Sequence, residues 1–239
     1  MTHRHLFTLA ATGLLATAVA HAEDEKKLGW SGNAEAGYNA ASGNSDTSNF
    51  KADANVRHDW TEYALEGTAK SRIAKSDDIR SEESYFLGLQ GDLKLNEIEY
   101  LFAAADYTVD KFSGYDYQAS QTVGYGRTLY KTEKHDLKGQ LGLGLRESET
   151  EFGETETEVL LKPELEYAYA INDYVTFTEN LKGSIGTAYG VYESETGIKS
   201  NLTNNLFLKA SYTVRHTTDV PVDRKKTDTF TGISLGYSF

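Results

Sequence analysis

Apolar and polar residues alternate along most of the chain after residue 30, and the last twelve residues show this pattern clearly. In "DTFTGISLGYSF" the odd-numbered positions include Ile233, Leu235, Tyr237 and Phe239, while the even-numbered positions hold Gly and Ser, with Phe230 as an exception. We call each such set of alternate positions a parity. Successive side chains of a β-strand point to opposite faces, so a period of two indicates a strand with one apolar face.

The same period recurs along the chain and predicts about twelve strands, each of roughly 10 residues, a length that crosses a bilayer at a tilt. The predicted connections alternate between short turns and longer polar loops, which is typical of an outer-membrane barrel. The predicted strands are 30–40, 50–57, 63–73, 85–93, 101–109, 117–129, 137–145, 159–169, 175–185, 192–202, 206–214 and 227–239. The predicted long loops are 42–48, 74–82, 110–116, 147–158 and 217–226, whereas the connection at 186–190 is too short for the pattern.

Basic residues favour a membrane barrel over a soluble sandwich. Nearly all Lys and Arg residues in the predicted strands lie on the parity opposite the apolar residues, and Arg127 is the exception. A lipid-facing Lys or Arg at the bilayer midplane costs about 2–4 kcal/mol. The apolar parity is rich in Ala, Gly and Tyr, which is modest for a sandwich core, and aromatic residues cluster near strand ends. We therefore expect an all-β fold, a single up-and-down antiparallel transmembrane β-barrel; a soluble secreted β-sandwich is the alternative.

The N-terminal residues predict export. Arg4 precedes a run of small and apolar residues from 6 to 20, and Ala20, His21 and Ala22 end it as a small-x-small cleavage site. We expect a signal peptide at 1–22, a short periplasmic segment at 23–29, and the barrel at 30–239, located in the bacterial outer membrane. The net charge of −12 argues against a nucleic-acid partner. The absence of cysteine excludes disulfides and thiolate chemistry.

Charged residues on the polar parity are the predicted lining of the lumen. If the hairpin of residues 50–73 pairs suitably, Arg57 meets Glu66 and Asp53 meets Lys70. Cross-paired charges would close the interior, whereas segregated rows would favour passage of a charged solute, and the sequence leaves both open. The predicted lumen-lining charged residues are Lys51, Asp53, Arg57, Glu66, Lys70, Arg72, Lys138, Glu164 and Glu166.

The sequence offers few residues for catalytic or metal chemistry. His216, beside Thr217, Thr218 and Asp219 at a predicted outer strand end, is the candidate base for a rim hydrolase. A lone rim histidine is more often solvated, so we expect no enzyme, no catalytic residue and no cofactor. Acidic outer loops such as "RESETEFGETETE" could share divalent cations with lipopolysaccharide, but none has the spacing of a dedicated metal site.

Glu179 does not fit the pattern, because it shares its parity with Val175, Phe177 and Leu181. A lipid-facing carboxylate is unfavourable. The position therefore predicts either contact with a partner subunit in an oligomer, a register slip, or the weakest seam of the barrel.

Three stretches of the chain carry a family resemblance. They are "WSGNAEAGY" with "SGNSDTSNF", then "FAAADYTVDKFSGYDYQASQTVGYG", then "TVRHTTDVPVDRKKTDTFTGISLGYSF". Together they resemble the YdiY-like family of salt-induced outer-membrane proteins over residues 30–239. The resemblance implies a Gram-negative outer-membrane barrel of largely unknown function, with no transferable site residues. We expect such a barrel to contact outer-membrane lipid and lipopolysaccharide. The terminal Tyr237 and Phe239 resemble the C-terminal signal that the barrel assembly machinery recognises.

Overall fold

The chain forms a closed barrel of twelve antiparallel strands, in which each strand pairs with its neighbours in sequence and β1 closes on β12. The computed structural model describes residues 28–41, 47–77, 79–111, 113–150, 152–220 and 225–239. Among these there is no helix long and apolar enough to cross a membrane. The predicted signal peptide at 1–22 and most of the segment at 23–29 lie outside the described residues. The strands are β1 Gly29–Ala41, β2 Thr47–Asp59, β3 Tyr63–Ser76, β4 Ile79–Lys94, β5 Glu99–Asp110, β6 Tyr115–Lys131, β7 His135–Thr150, β8 Thr155–Ala170, β9 Val175–Gly186, β10 Gly190–Asn201, β11 Leu206–Thr217 and β12 Thr227–Ser238.

The apolar parity of each strand faces outward. Leu87, Val123 and Leu143 are 60%, 64% and 60% exposed on the middle of the outer wall. In a β-sandwich these side chains would pack between two sheets, so the barrel prediction is confirmed and the sandwich alternative is wrong. We call the end that holds the chain terminus Phe239 the terminal end, and the opposite end the distal end.

Aromatic side chains mark both ends of the outer wall. At the terminal end the His58 ring contacts Trp30 edge-to-face and Trp60 at a tilt, with ring centroids 4.6 and 4.1 Å apart. Toward the distal end Tyr107 stacks on Tyr117 at 5.7 Å. Amphipathic rings in this arrangement are typical of the two interfaces of a membrane barrel.

The connections differ from the prediction at the distal end. Residues 74–82 and 147–158 were expected to be long loops, but β3 and β4 are separated by 77–78 and β7 and β8 by 151–154. The reason is that polar residues beyond the apolar band continue to pair with the neighbouring strand, as Arg146 does with Glu158. Loss of alternation therefore marks the end of the apolar band and not the end of the strand.

The shortest seam of the barrel lies between β1 and β12. Their ladder runs from Asn33 to Gly37, extended by the paired backbone hydrogen bonds of Gly32 with Phe239, whereas β1 pairs with β2 over its whole length. The prediction of a register slip beside Glu179 is wrong, because β9 keeps a single register with β8 and with β10. The prediction of the weakest seam at this position is wrong as well, because the ladder of β1 with β12 is shorter. The first and last strands, β1 and β12, close the ring and share the shortest ladder of backbone hydrogen bonds.

The interior is filled unevenly. On the side of β11 and β12, the Phe207 side chain is only 2% exposed. Its ring lies against Gly236, where an added Cβ would be 2.1 Å from the ring. The Lys199 ammonium lies 4.0 Å from the centroid of the same ring. Large side chains thus close this side of the lumen, and open space remains toward the opposite wall.

Candidate functional site: the barrel lumen

A cavity of about 1070 Å³ occupies the lumen on the side of β3 to β9. Its lining extends from the terminal turn at 95–98 to Gln118 and Arg146 near the distal end. Ten Lys or Arg side chains and ten Asp or Glu side chains line it. The cavity is therefore strongly polar and close to electrically balanced.

The nine predicted lumen residues fall into two groups. Seven of them line the cavity, whereas Lys51 and Asp53 belong to a separate ionic cluster on the β1 side of the lumen. The seven are Arg57, Glu66, Lys70, Arg72, Lys138, Glu164 and Glu166.

The hairpin of β2 and β3 has the register in which Arg57 meets Glu66 and Asp53 meets Lys70. The Arg57 guanidinium lies 3.1 Å from Glu66, 2.9 Å from Asp59 and 2.8 Å from Asp92 of β4. One arginine therefore joins three carboxylates at the terminal mouth, and Lys94 lies 2.7 Å from the same Asp59.

The cluster on the β1 side connects four strands. Lys51 of β2 lies 3.4 Å from Glu35, 3.0 Å from Asp53 and 3.2 Å from Glu195 of β10. Lys209 of β11 lies 2.6 Å from Glu195 and 3.7 Å from Glu35. The side chains of Glu195 and Lys51 are only 10% and 15% exposed. We call these five residues the ionic staple, because they tie β1 and β2 to β10 and β11 across the shortest seam.

Two further ion pairs cross the lumen. Arg72 of β3 lies 3.3 Å from Glu193 of β10, and Arg215 of β11 lies 3.3 Å from Asp110 of β5. In a ring of twelve strands, β5 and β11 are six positions apart in either direction, so the second pair spans the barrel. These pairs place charged side chains across the lumen at its distal end.

Tyr189, from the turn between β9 and β10, also projects into the distal lumen. It is 6% exposed, stacks on Tyr115 with centroids 5.4 Å apart, and lies over the Arg146 guanidinium at 3.7 Å. Arg146 also donates a hydrogen bond of 3.1 Å to the Tyr189 carbonyl, and Gln118 contacts the tyrosine hydroxyl. The turn that was too short for the predicted loop pattern therefore narrows the mouth.

Sequence reasoning missed several members of this site. Glu195 and Glu193 lie on β10, which was inferred mostly from spacing and has few apolar residues to set its parity. Tyr189 lies in the turn between β9 and β10, where the alternation of a strand does not indicate which way a side chain points. Tyr192 and Ile198 are an even number of residues apart, so they lie on the same face of β10, and both are exposed on the outer wall. Their shared face was the available signal for the direction of the β10 side chains.

The remaining predicted residues lie outside the lumen. Glu179 accepts hydrogen bonds from the Ser194 hydroxyl at 2.7 Å and the Thr196 hydroxyl at 2.6 Å, on the outer wall. Tyr237 and Phe239 are 47% and 51% exposed at the terminal end. His216 Nδ1 lies 2.8 Å from the Thr227 hydroxyl. Within the described part of the chain, no three His, Asp or Glu side chains converge as a metal site.

Residues 34–239 match the family described as "Protein of unknown function, DUF481". The chain is 30% identical over 217 residues to the uncharacterized protein YdiY of Escherichia coli (strain K12), covering 89% of this chain and 84% of that protein.

Solved structures that are similar to this chain are outer-membrane barrels. The COG4313 outer membrane channel from Pseudomonas putida F1 has a TM-score of 0.56 at 10% identity, covering 90% of this chain and 97% of that one. The translocator domain of the autotransporter NalP from Neisseria meningitidis has a TM-score of 0.52 at 12% identity, with 90% of each chain covered. The NanC porin has a TM-score of 0.51 at 12% identity, covering 87% of this chain and 97% of that one.

At these identities the solved structures establish the barrel fold alone. The match over residues 34–239 and the relationship to YdiY establish the family that the resemblance in the sequence implied. The chain belongs to the DUF481 family of proteins of unknown function, of which the YdiY protein is a relative.

Proposed function

We propose that this chain is a bacterial outer-membrane channel through which small polar solutes cross by a narrow, ion-lined lumen. The observation that carries this proposal is the cavity of about 1070 Å³ that extends from the terminal turn at 95–98 toward the distal end. An apolar outer wall suits hydrocarbon, and a polar lumen suits water. In this arrangement the terminal end faces the periplasm and the distal end faces the cell exterior.

Conductance in planar bilayers tests the channel. Refolded protein is expected to give stepwise current increments, with heat-denatured protein in the same detergent as the control. A complete lack of increments at all voltages and salt concentrations would rule the channel out. Membrane fractionation, followed by a shift in gel mobility between heated and unheated samples, tests the location and the closed barrel together.

A closed barrel with a structural role in envelope stress is the second candidate. The ion pairs of Arg72 with Glu193 and Arg215 with Asp110 favour it, because they lie across the lumen. The connection to salt stress rests on the resemblance to salt-induced outer-membrane proteins. This candidate predicts a wild-type protein that does not conduct but whose deletion sensitises cells to salt.

We also propose that the protein is not an enzyme and that its contacts are with lipid, lipopolysaccharide and the barrel assembly machinery. His216 supports this view, because its described hydrogen-bond partner is a threonine hydroxyl. Lipid or peptide hydrolysis by the wild type that is lost in His216→Ala would overturn it.

Deleting Phe239 is expected to slow assembly of the barrel in cells. Glu179→Leu tests whether the outer wall of β9 meets a partner subunit.

A further inference from the structure

Two charged side chains in the cavity differ from the rest of its lining. Most of the charges that line the cavity have an opposite charge within 4.0 Å, as Lys94 has Asp59 and Arg72 has Glu193. Within the described residues, neither Lys70 nor Glu166 has an ion pair or a side-chain hydrogen bond. Glu97 and Lys131 are unpaired as well, but both are exposed at the terminal mouth.

The two unpaired groups lie on facing walls of the same space. Lys70 is on β3 and Glu166 is on β8, five positions apart in a ring of twelve strands. The Lys70 ammonium lies 6.0 Å from the centroid of the Phe86 ring. Glu166 is exposed to the cavity, two residues along β8 from Glu164, which pairs with Lys182. A positive group from the middle of β3 and a negative group nearer the terminal end of β8 thus line the same cavity from nearly opposite sides.

The neighbouring charges leave these two groups available to a solute. Lys182 is held by Glu164, and Lys162 is held by Asp106 of β5. Asp53, opposite Lys70 in the register, is bound by Lys51 of the ionic staple at 3.0 Å. A solute in the cavity therefore meets one cation and one anion that have no direct ion pair or side-chain hydrogen bond in the described part of the chain.

The chemistry of these two groups selects among small solutes. An anion is attracted by Lys70 but repelled by Glu166, and a cation experiences the reverse. An uncharged solute pairs with neither group. A zwitterion carries a partner for each group, and each ion pair replaces water that the charged side chain gives up. The balance of ten cationic and ten anionic side chains in the lining gives no competing preference for one sign of charge.

Resting on the channel function proposed above, we propose that the lumen recognises small zwitterionic solutes of the amino-acid type. Glu166 contacts the cationic group and Lys70 contacts the carboxylate. Both are residues that determine specificity, and neither takes part in a reaction.

Liposome swelling with isomeric solutes tests this proposal. β-Alanine and lactamide have the same atoms, but only β-alanine is a zwitterion, so the ratio of their swelling rates reports charge recognition and not size. We expect wild-type protein to give a higher ratio than Lys70→Gln or Glu166→Gln, by about two- to fivefold, the range of one half-exposed ion pair. Lys131→Gln, which removes the same charge at the terminal mouth, is the matched control and is expected to keep the wild-type ratio.

The exchanged double variant Lys70→Glu with Glu166→Lys distinguishes recognition from altered pore shape. A zwitterion can turn around, so the double variant is expected to recover the wild-type ratio, while Lys70→Glu alone loses it. A wild-type ratio equal to that of both single variants would overturn zwitterion recognition while leaving the channel intact. No swelling with either solute would overturn the channel itself, and the recognition with it.

Discussion

At the scale of single residues, glycine determines how closely neighbouring strands and side chains approach in β5 to β7. Phe102 of the lumen lies against Gly124 and Gly142, where an added Cβ would come within 2.6 and 3.0 Å of its ring. At Gly144 the obstacle is backbone, because an added Cβ would lie 2.1 Å from the Gln121 carbonyl oxygen. A side chain can rotate away from such a contact, but a paired strand cannot move without losing hydrogen bonds.

We therefore expect Gly144→Ala to destabilise the barrel by about 1–3 kcal/mol, the usual cost of overpacking. Gly91→Ala is the matched control, because nothing lies within 4 Å of its added Cβ. Denaturant unfolding followed by the fluorescence of Trp30 and Trp60 measures both. Equal unfolding midpoints for the two variants would contradict the reading of Gly144 as a close-approach position.

A second residue-scale prediction concerns the ionic staple. Glu195→Gln removes the carboxylate that pairs with both Lys51 and Lys209, and leaves two mostly buried ammonium groups with fewer partners. We expect a loss of about 3–5 kcal/mol, as for breaking other buried ion pairs. Glu83→Gln is the control at the distal rim, where the Arg80 partner is 49% exposed and about 1 kcal/mol or less is expected. Similar losses in the two variants would show that the staple contributes no more than a rim pair.

The sequence could identify the direction of most side chains but not their partners. Parity placed Lys51 and Arg57 inside because the outer wall excludes basic residues. The exceptions have physical causes: Arg127 lies outward at the terminal end, 3.7 Å from Glu99, and Phe230 turns inward over the Arg72 guanidinium at 5.4 Å. The pairing of Lys51 with Glu195 depends on which strands meet across the lumen, and a period along one strand contains no such information.

At the scale of strands, the middle of each strand was more predictable than its ends. The alternation of apolar and polar residues stops where the outer wall leaves the apolar band, yet β7 continues to Thr150 and β8 begins at Thr155. Beyond that band both faces meet water, so backbone pairing persists without a hydrophobic pattern to reveal it. The closing seam was equally hidden, because its length depends on how β1 and β12 meet after the ring has formed.

The short seam predicts where the barrel opens first. Backbone pairing of β1 with β12 ends at Gly37, although β1 continues to Ala41 and β12 begins at Thr227. Amide hydrogen exchange is expected to be faster in the distal part of β12 than in β6 and β7, which pair with each other along nearly their whole length. Mass spectrometry of peptides from exchanged, folded protein in detergent measures this difference. Uniform protection around the ring would show that the missing pairs have no dynamic consequence.

At the scale of the whole molecule, the lumen combines an open polar space with charged side chains that cross it. The cavity reaches Arg215, whose pair with Asp110 joins strands on opposite sides of the ring. The ionic staple fills the other side of the lumen and holds the closing seam. The same kind of interaction therefore stabilises one half of the barrel and narrows the passage through the other half.

For the proposed channel, this arrangement predicts that the distal ion pair of Arg215 with Asp110 is the main obstacle to current. We expect Arg215→Gln to raise single-channel conductance, because it removes the charge pair across the mouth and shortens the side chain that reaches over the lumen. Wild-type conductance should also rise more steeply with salt than bulk conductivity does, since added ions screen the pair. Arg127→Gln removes the same charge from the outer surface at the terminal end and should leave the current unchanged. If Arg215→Gln conducts no better than Arg127→Gln, then the Tyr189 turn and not the ion pair limits the passage.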